Sequence, residues 1–159
     1  MTAIDRRTLC HLRIVALGLL LMAACSATGP VYQAAPAPEE GSVLVYLFRP
    51  SRFAMGAQDA HFSVDGVEVA SLSTGGYTWL HTPPGRHALK QTWWDPFSRP
   101  LELQIRWEAG QTYFYRIETS AELFRVVWRL AQVREEEALS EIAECRFQPA
   151  AAGGKLGRQ

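Results

Sequence analysis

Cysteine is scarce in this chain: three in 159 residues, at positions 10, 25 and 145. That is too few for the disulfide framework of a small cross-linked domain, and no His/Cys spacing supplies a zinc ligand set. Charge of one sign is missing as well. Sixteen basic and sixteen acidic residues balance, with no basic block among them. The chain therefore lacks the electrostatic footprint of a nucleic-acid binder and the polybasic patch that draws proteins to anionic lipid. The longest apolar run, IVALGLLLMAAC at 14–25, has about a dozen residues where a spanning helix needs roughly 20. There is no G-x-S-x-G elbow, and no local order of Ser, His and Asp picks out a nucleophile. The expectation is a protein without catalytic machinery, cofactor or metal.

What is present begins at the N-terminus. Arg6, Arg7 and Arg13 flank the apolar run in the layout of an export signal. The run ends Leu21-Met22-Ala23-Ala24-Cys25, which resembles a bacterial lipobox, with Met22 where family members usually carry Leu. The resemblance implies that residues 1–24 are a signal peptide and that Cys25 becomes the first residue, acylated on its thiol and usually on its new amino group. At ~0.8 kcal/mol per buried methylene, several acyl chains make an effectively permanent membrane anchor. The competing reading is a plain secreted protein cut nearby with a free thiol. Asp5-Arg6-Arg7-Thr8-Leu9 loosely resembles a twin-arginine signal, but paired arginines are common in such regions and the general secretory route is the default. Ser26 rather than Asp follows the cysteine, which by the same resemblance favours the periplasmic face of the outer membrane over the inner membrane. Loss of residues 1–24 leaves 13 basic and 15 acidic residues, with Cys145 as the one thiol beyond the anchor. Cys145 reads as a small buried hydrophobe beneath a helix.

Residues 25–41, rich in Ala and Pro, read as the lipidated cysteine and a flexible tether holding the domain some tens of Å from the membrane. The domain spans 42–147. Its first strand, 43–48, is apolar on both faces and so central. Around Asp65-Gly66 a two-residue type I′ hairpin pairs Val64 with Val67 and Phe62 with Val69, all on one face. Further strands are expected over 77–81, 87–94, 101–107, 112–118 and 124–130, the turn at Pro83-Pro84-Gly85 separating two of them. The period changes at 135–146, where Glu135, Glu136 and Glu137 open an amphipathic helix with Leu139, Ile142 and Ala143 on one side. Residues 148–159 read as a disordered tail. The fold class is mainly β: an antiparallel β-sandwich or half-barrel of seven to eight short strands with one C-terminal α-helix.

Val45-Tyr46-Leu47-Phe48-Arg49-Pro50, Phe62-x-Val64-Asp65-Gly66, Gly76-Tyr77, Pro83-Pro84-Gly85-x-His87 and Ala109-Gly110-x-Thr112-Tyr113 follow in an order that resembles an uncharacterised bacterial lipoprotein domain. The acidic helix ending in Cys145-Arg146 fits it too. The resemblance implies location and fold, and transfers no active-site residue.

Candidate binding residues lie in two loops. Alternation sends Trp93 and Trp94 to opposite faces, so Trp94 with Phe97 either plugs the core or forms an exposed aromatic patch for a protein or glycan partner. Arg49 and Arg52 beside Phe53 form the second candidate, or merely a turn. A three-residue Pro-Pro-Gly loop sets His81 against His87, where a metal ion needs one more ligand; a four-residue loop pairs His81 with Ala88 instead. The reading is a membrane-anchored periplasmic lipoprotein, bound through acyl chains on Cys25 and serving as a binding or structural module of the cell envelope. A small hydrolase of wall polymer and an accessory subunit of an envelope assembly are the rivals.

Overall fold

The computed structural model describes residues 26–38, 40–51, 58–94, 98–122 and 125–151. Among these residues, nine strands and one helix follow in the order β1 (Val43–Arg49), β2 (Ala60–Val64), β3 (Val67–Leu72), β4 (Gly76–Thr82), β5 (Gly85–Thr92), β6 (Leu101–Trp107), β7 (Thr112–Glu122), β8 (Arg125–Val133), α1 (Glu135–Ile142) and β9 (Arg146–Phe147). They make a five-stranded sheet, β8-β7-β1-β4-β9, and a four-stranded sheet, β3-β2-β5-β6.

β1 is buried along its whole length, as its unbroken apolar pattern requires. Val43, Val45 and Leu47 face the second sheet, meeting Phe62, Val64, Leu72 and Leu89 in the main core. Leu44, Tyr46 and Phe48 face the other way, against Ala138, Ile142 and Cys145. The protein is thus mainly β and three layers thick. The sheets are not wholly antiparallel. β1 and β7 run parallel, Leu44 opposite Thr112 and Phe48 opposite Arg116, because the intervening chain leaves the first sheet twice to build the second. β9 is likewise parallel to β4.

Asp65 and Gly66 have φ of 51° and 82°, both positive as a type I′ turn demands, and Val64 pairs with Val67. Beyond that the expected register fails. A bulge sets Ser63 opposite Glu68 and Phe62 opposite Ala70 rather than Val69. Val69 and Ala70 are both buried as a result, while Val67 stays 42% exposed. The Pro83-Pro84 turn does not close a hairpin. It carries the chain from one sheet to the other, so His81 lies opposite Leu44 and His87 opposite Ile105, and the two imidazoles never face each other.

The helix is shorter than its pattern. It stops at Ile142, burying Ala138 and Ile142 and leaving Leu139 half-buried and Ala143 exposed. Arg146 and Phe147 then extend as β9. Residues 148–151 of the expected tail are also fastened: the Gln148 N–H donates to the Tyr77 carbonyl at 2.8 Å and the Ala151 N–H to that of Val69 at 2.8 Å.

The expected tether departs most. Residues 26–38 lie along the outer face of the five-stranded sheet instead of spacing the domain away from anything. The Ala35 N–H donates to the Tyr46 hydroxyl at 2.8 Å and the Gln33 N–H to that of Tyr77 at 2.9 Å. Tyr32 and Ala35 cover the same rings. Two phenols on an apolar face need polar partners once covered, and this segment supplies them. Gly29 is set so close that a Cβ there would meet the Phe147 carbonyl oxygen.

Candidate functional site

β1 ends, β3 turns into β4, and β5 ends at one edge of the sandwich, and there Arg49, Trp93 and Trp94 lie. Strand parity carries Arg49 inward with Val43, Val45 and Leu47, so it is 3% exposed and is not the loop contact expected of it. Its Cζ lies 5.1 Å from the Trp93 ring centroid and 5.9 Å from that of Trp128. The two indoles are 4.2 Å apart at 47°. Nη1 donates to the Leu72 carbonyl at 3.2 Å and to that of Gln58. Burial pulls the guanidinium below its ordinary pKa, against the attraction of Asp59. A desolvated cation over an indole face is worth about 2 kcal/mol. Arg49 therefore ties the two sheets together.

Trp93 is buried in this contact, whereas Trp94, one residue on, is 86% exposed. Of the two outcomes open for the Trp pair, each holds for one ring. Phe97, Arg52 and Cys25 lie outside the described residues. Arg99 and Arg146 are exposed at the same edge, flanking the start of β6 and the start of β4 respectively.

Three clusters bear on chemistry, and sequence reasoning missed all three. His87 Nδ1 lies 2.7 Å from Asp65 Oδ2, and Nε2 lies 3.1 Å from the Pro83 carbonyl oxygen. The ring also stacks on Trp107 at 4.7 Å. Each ring nitrogen thus has an oxygen within hydrogen-bond distance. Burial of Asp65 raises its pKa, but the Ala88 N–H and His87 outweigh that and hold the carboxyl below its usual range. The pair secures the hairpin turn to β5. Arg116 on β7 bonds Glu118 beside it and reaches Glu137 and Glu141 on α1 at 2.7 and 2.8 Å. Burial opposes its charge, and the three carboxylates override that and raise its pKa. Inside the sandwich, Trp107 Nε1–H donates to the Tyr115 hydroxyl at 2.9 Å. The only advance signal for these was spacing: Asp65 in the turn, and Glu137 and Glu141 one helical turn apart.

No three His, Cys, Asp or Glu side chains converge as metal ligands among the described residues. An open groove of about 360 Å³ at the opposite edge runs between the start of β7 and the start of α1. Its charged lining groups, Arg134 and Glu135, are both exposed to solvent.

Comparison with curated proteins and with solved structures gives no match. A match to one protein family covers residues 39–127, hence β1 to β7, Trp94 and the opening of β8. The docked segment 26–38, α1 and β9 fall outside it. Matching over more than half its length, the chain belongs to DUF2846, a family of proteins of unknown function.

Proposed function

We propose that this protein is a membrane-anchored lipoprotein on the periplasmic side of a bacterial envelope, outer membrane favoured, that works as a non-catalytic binding or structural module. The anchor rests on the apolar run ending LMAAC and on acylation of Cys25. The observation that carries the module is the Trp94 indole, 86% exposed beside a Trp93 held in the core. A large amphipathic ring presented on a rigid edge is characteristic of a contact surface. The hydrolase alternative has less behind it: the Asp65–His87 pair secures a turn, with the Pro83 carbonyl oxygen at its second ring nitrogen.

The test is intact mass and membrane fractionation of the full chain beside Cys25→Ala, expressed in a bacterium. The expected result is a wild-type chain that starts at Cys25, carries diacyl or triacyl mass and sediments with membranes, while Cys25→Ala does neither. A soluble, unacylated wild-type chain cut elsewhere overturns the reading.

A further inference from the structure

We infer that the partner of the Trp94 edge is the lipid bilayer itself: the sandwich stands directly on the membrane, with Trp94 in the headgroup layer. This deepens the function proposed above and rests on the anchor at Cys25.

The argument starts from where the chain enters the domain. Ser26 bridges Thr74, and the Ala27 N–H donates to the Thr74 carbonyl at 3.1 Å. Thr74 belongs to the connection between β3 and β4. From there inward the segment is fastened repeatedly: Pro30 to Phe147, Val31 to Arg146, Gln33 to Tyr77 and Ala35 to Tyr46. No slack remains between residue 26 and the sandwich. Cys25 is one peptide unit from Ser26, about 3.8 Å between Cα atoms. Acyl chains on it therefore hold the connection between β3 and β4 at the membrane surface.

Trp94 shares that edge. Arg49 lies opposite Gly76, the first residue of β4, and its guanidinium bonds the carbonyl of Leu72, the last residue of β3. Trp93 packs on that same guanidinium, so Trp94 comes off the core beside the entry point. Its ring has the amphipathic chemistry that settles at headgroup depth, with an apolar body and one N–H donor. Arg99 and Arg146, exposed on the same edge, are suited to lipid phosphates. A protein partner at Trp94 has to share this edge with the acyl chains; a bilayer already occupies it.

The experiment uses the acylated full-length chain in vesicles of phosphatidylethanolamine and phosphatidylglycerol whose acyl chains carry bromine, a contact quencher of indole. Of the five tryptophans, Trp94 is the exposed one. Wild type should lose emission in brominated vesicles, and Trp94→Phe should lose most of that quenching while floating with the vesicles as wild type does. Equal quenching in both proteins, or none in a wild type that floats, overturns the membrane-facing edge and leaves the anchor standing. A photo-crosslinker at position 94 that captures an envelope protein instead of lipid overturns it too. A wild type that carries no acyl mass and does not float overturns the anchor, and the edge proposal with it.

Discussion

Arg49 and Thr78 show how much one inward-facing polar residue depends on its partners. Arg49 has two carbonyls and two indoles around it. Thr78, opposite Leu47 on β4, is fully buried, and its hydroxyl has no hydrogen-bond partner among the described residues. Leaving a buried hydroxyl unsatisfied costs ~1–3 kcal/mol, and an apolar replacement of the same shape removes that cost. Thr78→Val should accordingly stabilise the protein by about 1 kcal/mol, read as a higher midpoint in urea with an unchanged slope. Arg49 was legible in part. The alternation of Val43, Val45 and Leu47 assigns the next odd position to the same face, and only the following Pro50 suggests a loop. His87 was not legible, because its partner Asp65 lies across a strand pairing that turn chemistry does not specify. Trp94 was legible as one of two outcomes, since alternation divides a Trp-Trp pair without saying which face is covered.

Elements were read well where the pattern is local and poorly where the partner is distant. The β6 alternation of Leu101, Leu103 and Ile105 with exposed Glu102, Gln104 and Arg106 came through unchanged. The Pro83-Pro84 turn predicts a reversal, but nothing in it names the sheet the next strand joins. Residues 26–38 have the composition of a spacer, and what holds their inner part, at Gln33 and Ala35, is a pair of hydroxyls on β1 and β4. That attachment is testable by hydrogen exchange. The amides of Gln33 and Ala35 should be protected in the native protein, and Tyr46→Phe with Tyr77→Phe should release both. The amides of β1 should stay protected, because their partners on β4 and β7 are untouched. Helix α1 has a second attachment through Arg116 to Glu137 and Glu141, which explains why so short a helix stays on the sheet when isolated helices of its length are marginal.

For the molecule as a whole, burial sets an alkaline limit. Tyr46 and Tyr115 are pushed up to about 12, and Cys145 to about 12, with desolvation the main cause in each. Unfolded, the phenols ionise near ~10 and the thiol near ~8.5. The folded chain therefore holds protons that the unfolded chain has released, and stability falls as pH rises. The contribution is complete below about pH 8.5 and is lost progressively towards about pH 12. Urea unfolding followed from about pH 8 to about pH 11 should show this decline. Tyr115→Phe, which also gives up the bond from Trp107, should start lower and fall less steeply.

The parallel neighbours β1 and β7 carry a consequence for assembly. β1 is the first strand to leave the ribosome, yet both strands that flank it come much later, one after the first hairpin of the other sheet and one after the second. Its contacts are long in sequence, which slows closure. Until β7 arrives, a seven-residue strand with apolar side chains on both faces has a bare edge and an uncovered side, the features that invite pairing with another chain. The outer side closes last of all, when Phe147 meets Pro30. The topology therefore sets closure by the chain's own C-terminal third against self-association of β1.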